Sequence, residues 1–367
     1  MSRGKGLLRR ALWASLALGL AVLLGACTGL YGGTPQAANS PAGSNAKSIW
    51  DLFVPIFWLS VVVFLIVFGV LITAVIRFRR KPGDPLPHPT HGNTKLEIVW
   101  TIIPALILAA IAVPTISTIA NLAQTPKNPV IIKVVGQQWW WSFQYPDNGV
   151  TTADEMHIPV NRGIHLELVS RDVIHSFWVP KLAGKEDVVP GRTNVINFTA
   201  EKVGTYSGQC AEFCGEQHAN MRFTVVVQTQ ADYNSWLAAQ KAPPATPPAG
   251  SLAAKGRDLL LGLNGQQILP CVGCHTINGT KAEGSGPPDV VPPSRDDPSY
   301  RTVGPNLTHF GSRTGIAGDI LSNTPANLFK WIHDTQAVKP GNDMPNFGGV
   351  LTSNQINAVV AYLESLK

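Results

Sequence analysis

The strongest constraint on this chain is a pair of apolar runs, about Leu52 to Ile76 and about Leu96 to Ala120. A bilayer core needs roughly 20 apolar residues in helical form, because backbone polar groups inside lipid must be satisfied within the helix. Both runs meet that length, so residues 49–122 are expected to form a transmembrane helical hairpin. The segment between them opens with Arg77-Phe78-Arg79-Arg80-Lys81, and a short basic loop belongs on the cytoplasmic side. Everything after residue 120 is then extracytoplasmic. His88 and His91 lie among prolines in the loop and read as solvated. Glu97 is harder to dismiss, since an acid at the inner mouth of a membrane helix is costly without a partner or a task. The plainer reading is an interfacial acid reaching back to water.

The formal charge of +6 suggests a basic protein, but its distribution says otherwise. Arg3, Lys5, Arg9 and Arg10 precede residue 26 with no acid, the Arg77 to Lys95 loop adds five basic residues against Asp84, and what remains is close to neutral. These are targeting and topology signals. No basic stripe remains for nucleic acid. Residues 1–27 have a basic start, an apolar run from Ala11 to Leu24 and small residues before Cys27, the layout of a secretory signal peptide. Leu24-Gly25-Ala26-Cys27 resembles a bacterial lipobox, so Cys27 is the expected lipid attachment point; an uncleaved first membrane helix is the competing reading. Residues 28–48, rich in Gly, Pro, Ser and Asn, are expected to be a flexible spacer.

From 129 to 230 the pattern changes to short β-rich runs: Val130 to Val135, Gln138 to Tyr145, Ile164 to Ser170, Thr193 to Thr199 and Met221 to Gln228. Turn residues separate them, which predicts an all-β sandwich. Alternation along Trp139-Trp140-Trp141 puts the outer two on one face and predicts that at least one of the three is exposed. Residues 238–250 are proline-rich and read as a semi-rigid linker. The remainder, 251–367, has helical spacing over Leu252 to Leu263, Asn327 to Thr335 and Ser353 to Leu366, with a loop over Gly284 to Ser299.

Two stretches carry chemistry. Cys271-Val272-Gly273-Cys274-His275 is the attachment signature of a c-type haem, in which two thiols bond the macrocycle and the adjacent His ligates iron. Zinc would need further ligands nearby, and no cysteine is left to provide them. Met344 is the only methionine after residue 221 and is the expected sixth ligand, with His309 and His333 as rivals. Met/His ligation raises a haem's potential. The second stretch, Cys210 to Met221, packs two thiols, His218 and a thioether into twelve residues. Soft donors of this kind select copper, and one Cys more than a mononuclear blue site needs suggests two bridged metal ions. A disulfide is the plain alternative for each cysteine pair, although disulfides have no use for the histidine that follows. A second His must come from elsewhere; His175, His157 and His165 are the candidates.

Together, Glu97-Ile98-Val99-Trp100-Thr101-Ile102-Ile103-Pro104, the tryptophan cluster, Asp172 to His175 and Cys210 to Met221 resemble subunit II of haem-copper cytochrome c oxidase, and the haem segment resembles the caa-type bacterial members. The resemblance implies a two-helix transmembrane hairpin, a cupredoxin-like Greek-key sandwich and an all-α class I cytochrome c domain. It implies the dinuclear copper centre CuA, with Cys210 and Cys214 bridging, His175, His218 and Met221 as ligands and Glu212 contributing its carbonyl. It also implies a magnesium ion near Asp172 and Glu212, electrons entering at Trp139, and a proton pathway starting at Glu97. Trp140 stands where the family usually has tyrosine, and Gln137 where many members have His.

The implied activity is electron transfer from cytochrome c, through haem and copper, to subunit I in a bacterial cell membrane. Oxygen is reduced there with proton pumping, because the apolar runs here contain no histidine cluster for that chemistry. Two alternatives are an electron-transfer subunit of a nitric or nitrous oxide reductase and a membrane-tethered copper-binding protein without turnover. A quinol-oxidising relative would have no reason to keep Cys210 and Cys214. Replacing Met344 with Ala is expected to lower the haem potential measured by redox titration; an unaltered potential would assign the sixth position to His309 or His333.

Overall fold

A computed structural model describes residues 34–80, 82–83, 85, 89, 91–263, 265, 270–278 and 304–367. The signal peptide, Cys27, His88 and the 284–299 loop lie outside the described residues. The chain divides into two compact bodies, residues 47–124 and the remainder.

The smaller body is built from two helices, α1 (Ser44–Arg77) and α2 (Thr94–Leu122), of 34 and 29 residues. Both are long and apolar enough to cross a membrane. Asn93 caps α2 by accepting the Leu96 N–H at 3.2 Å, and Glu97 sits exposed in the first turn, where an acid favours the helix dipole. Both helices run past the apolar limits read from sequence because their polar ends continue the helical backbone.

The larger body contains two β-sheets. Strands β1 (Val130–Gln137), β2 (Trp140–Tyr145), β3 (Val150–Ala153), β5 (Gly163–Ser170) and β8 (Asn194–Thr199) form one sheet in the order β3-β2-β1-β5-β8. The second has the order β4-β10-β9-β6-β7, from β4 (Glu155–Pro159), β6 (His175–Trp178), β7 (Glu186–Val188), β9 (Gly204–Cys210) and β10 (Arg222–Gln228). Non-consecutive neighbours make this a cupredoxin-like Greek-key sandwich. Between the sheets Trp141 meets Phe177 edge-on at 5.6 Å, and Phe177 stacks on Phe223 at 4.7 Å. That cluster lies directly behind β6 and β9, whose ends carry His175 and Cys210.

Three expectations need correction here. Gln138 and Trp139 do not extend β2; they form the turn joining β1 to β2, although neither is a usual turn residue. None of the three tryptophans is exposed: Trp139 and Trp141 are buried and Trp140 is half-buried. The described part of the spacer is also not free, since the Ala42 N–H donates to the Lys181 carbonyl at 2.8 Å and Gly43 bridges Ala200.

Helix α3 (Gln230–Lys241), capped by Thr229, runs into the stretch read as linker, leaving 242–250 extended. Beyond it α4 (Leu252–Leu261), α5 (Pro325–His333), the short α6 (Thr335–Val338) and α7 (Ser353–Ser365) enclose a second apolar core. A hairpin of two-residue strands, β11 (Gly315–Ile316) and β12 (Leu321–Ser322), is added to this otherwise helical domain. Helices α4 and α7 approach so closely at Gly256 that a Cβ there would fall 1.9 Å from the Ala358 carbonyl. Gly256→Ala is therefore expected to destabilise this domain by about 1–3 kcal/mol, seen as a lower denaturant midpoint followed by haem absorbance.

Candidate metal centre

Strand pairing assembles the first site. Phe177 on β6 pairs with Cys210 at the end of β9, and the Ala211 N–H donates to the Ser176 carbonyl at 2.9 Å. The loop that follows is closed by the Cys210 N–H on the Met221 carbonyl at 2.9 Å. This brings the Cys210 and Cys214 sulfurs to 3.7 Å from each other. His175 Nδ1 lies 3.9 Å from Cys210 Sγ, His218 Nδ1 3.6 Å from Cys214 Sγ, and Met221 Sδ 3.8 Å from Cys214 Sγ. The Glu212 carbonyl oxygen is 3.2 Å from Cys210 Sγ. Ligand atoms of His175, Cys210 and Cys214 all fall within 4.8 Å of one another, and the three residues are buried. His157 and His165 are held elsewhere, by Glu155 with Gln228 and by Asn197 respectively.

Electrostatics show what the pocket favours. The neighbouring Cys214 holds the Cys210 thiol down to about 3 against its burial, while the same contact and burial push Cys214 far up. Two adjacent thiolates are stable only around a soft positive ion, which thiolate, imidazole and thioether donors suit. The donor set fits copper.

Asp172 orients the histidine. Its Oδ1 lies 2.8 Å from His175 Nε2 with both side chains fully buried, so Nε2 is the donor and Nδ1 keeps its lone pair toward the sulfurs. Burial pushes the His175 imidazole pKa down, but Asp172 and Cys210 outweigh it and the net shift is upward. The same carboxylate accepts the Gln138 and Val173 N–H groups, each at 2.7 Å. Oδ1 thus meets the His175 imidazole and the Val173 N–H, and Oδ2 meets the Gln138 N–H. Glu212 is exposed.

The second site is a cavity of about 220 Å³ whose lining includes Cys271, Cys274, His275 and Met344. The His275 N–H donates to the Cys271 carbonyl at 2.9 Å, which folds the Cys-x-x-Cys-His segment into one turn. His275 Nδ1 donates to the Pro305 carbonyl at 2.8 Å, leaving Nε2 as the unprotonated base, and burial keeps the ring neutral by lowering its pKa. Among the described residues Leu307, Phe310 and Phe347 add apolar wall. Two thiols, a basic imidazole and a thioether around an apolar space fit a c-type haem. His309 and His333 do not line the cavity; the former donates to the Gln240 carbonyl and the latter stacks on Phe329.

Both sites share Trp139, which sequence reasoning placed on a strand. Its indole N–H donates to the Cys214 carbonyl at 3.1 Å, and the residue lines the haem cavity with Trp140. Lys339, which carried no sequence signal, lies between the same elements: its ammonium donates to the Trp139 carbonyl at 2.7 Å. Burial pushes Lys339 down to about 8, with Asp154 opposing. Asp172→Asn is expected to weaken copper binding about 10–100-fold through loss of His175 orientation, measured by competition against a chelator.

Comparison with known proteins follows the same division. The family models for the cytochrome c oxidase subunit II transmembrane domain, the subunit II periplasmic domain and cytochrome c match residues 31–118, 149–229 and 263–367. Cytochrome c oxidase subunit 2 of Alkalihalophilus pseudofirmus is 37% identical over 97% of this chain and 98% of its own length. A quinol oxidase subunit 2 from Bacillus cereus is 34% identical over 63% of this chain and 81% of its own length. The solved periplasmic domain of subunit II of cytochrome oxidase of Bradyrhizobium japonicum is 36% identical, covering 32% of this chain and 97% of that one, at a TM-score of 0.31. A relative matched end to end and three family models in sequence establish that the chain belongs to the cytochrome c oxidase subunit II family, as the subunit II of a haem-copper oxidase, anchored by two apolar helices and carrying its own cytochrome c domain.

Proposed function

We propose that this chain receives electrons from cytochrome c or a similar donor and delivers them to subunit I of a haem-copper oxidase, where oxygen is reduced to water with proton pumping. The observation that carries the reading is the shared wall: Trp139 donates to the Cys214 carbonyl and lines the cavity that holds Cys271, Cys274, His275 and Met344. Bound haem c and a dinuclear CuA centre supply the one-electron chemistry.

The residues of the chain do the rest. Cys210, Cys214, His175, His218, Met221 and the Glu212 carbonyl hold the copper ions, with Asp172 fixing His175. His275 and Met344 ligate the haem iron, and Cys271 with Cys274 bond the macrocycle. The buried aromatic cluster of Trp141, Phe177 and Phe223 keeps water from the copper loop and limits its movement, the preorganisation an electron carrier needs. Glu97 marks the mouth of a proton pathway completed by subunit I. The chain resides in a bacterial cell membrane with both redox domains on the outer face, after removal of a signal peptide and lipidation of Cys27.

Quinol-oxidising relatives bear on the donor. The paired thiols and the haem motif favour cytochrome c, because a quinol donor needs neither. Cys214→Ser is expected to abolish the near-infrared copper absorption of the purified complex while leaving its haem c spectrum. Survival of both signals unchanged would overturn the copper assignment.

A further inference from the structure

The contact between the sandwich and the haem domain centres on one buried cation. Lys339 is only 3% exposed, and its ammonium donates to the carbonyls of Trp139 at 2.7 Å, Asn220 at 3.0 Å and Ala317 at 3.0 Å. An ammonium has three N–H bonds, so all are spent. The three acceptors come from three different segments: the β1–β2 turn, the residue before Met221, and the β11–β12 hairpin of the haem domain. Gly318 (φ +81°) lets them converge, since a Cβ there would lie 2.4 Å from Lys339 Nζ and 2.8 Å from the Asn220 oxygen. A left-handed backbone with no room for a side chain is what glycine provides.

The other end of Lys339 is tied to the haem ligand loop. Its carbonyl accepts the Asn342 side-chain N–H at 2.7 Å, and the Asn342 side-chain oxygen accepts the Met344 N–H at 2.8 Å. Met344 is thus connected to Trp139 and to the end of the copper loop through the Asn342 and Lys339 side chains. One further contact, the Arg222 N–H on the Gly318 carbonyl at 3.3 Å, lies beside Met221; two others, Thr224 to Asp319 at 2.6 Å and the Thr314 N–H to Glu155 at 3.0 Å, touch neither site. They stabilise the docking without fixing it where electrons cross.

We propose that Lys339 is a positioning residue for electron transfer within this chain: its ammonium pins the Met344 loop to the carbonyls of Trp139 and Asn220 and so holds the haem cavity against the Gln138–Trp139 turn. The inference rests on the haem c and copper assignments above. The step served moves one electron from reduced haem to oxidised copper, with no bond made or broken. Lys339→Met keeps the length and burial of the side chain and removes its donors.

In the purified complex, Lys339→Met should retain the haem c and near-infrared copper spectra. Electron transfer from haem to copper after rapid photoreduction should slow at least tenfold, and kcat should fall with KM for external cytochrome c unchanged. Deuterium uptake at the Arg222 amide, which donates to the Gly318 carbonyl across the boundary, should rise even in the copper-depleted complex. An unchanged transfer rate overturns the proposal, whether or not uptake rises, because Lys339 would then only stabilise the interface. If Lys339→Met loses its haem, Gly318→Ala displaces the ammonium from the opposite side and is read by the same measurements, a wild-type rate again overturning it. Absence of the near-infrared band from the wild-type complex would instead be a failure of the proposed function.

Discussion

Two sulfurs 3.7 Å apart set the terms for the rest of this molecule. Their proximity and burial oppose charging both, holding Cys210 down and pushing Cys214 up. Everything around them keeps them close despite that cost. Pairing of β6 with β9 fixes Cys210, closure of the loop onto Met221 fixes its far end, and Gln138 and Trp139 both donate to the Cys214 carbonyl, at 2.7 and 3.1 Å. The fold imposes proximity on groups that gain from it only when a soft cation arrives. Binding energy that might have been spent assembling the ligands is already invested in sheet and core.

How much of this was legible depended on distance along the chain. The Cys271 to His275 turn and the Cys210 to Met221 loop could be read directly, because their ligands are brought together by a few residues of local backbone. His175 could not, since its place beside Cys210 results from pairing between strands 35 residues apart. Only the family resemblance singled it out from His157 and His165. Strands β6, β7 and β9 escaped because they are short or carry small polar residues, so no alternation announces them. The Gln138-Trp139 turn escaped because it lacks Gly, Asn and Pro. Lys339 had no signal at all: a lysine among surface-like neighbours says nothing of three carbonyls waiting in other segments.

Membrane helices and soluble domains were legible for opposite reasons. In lipid the apolar requirement is nearly absolute, so composition alone outlines α1 and α2. In the sandwich, half of each strand faces the core and half does not, and boundaries blur. The polar ends of α1 and α2 and the packed 34–46 segment escaped because neither is set by apolar content. Tertiary contacts, such as the Ala42 N–H on Lys181, decide where a chain of mostly small residues comes to rest.

Trp139 is 7% exposed and lies beneath a domain attached through the extended 242–250 segment. A freely diffusing protein has no face of that indole to meet. Its attached neighbour is always present at a local concentration set by the tether, which dilution of the surroundings does not alter. Contact between that domain and Trp139 is then first order and independent of protein concentration.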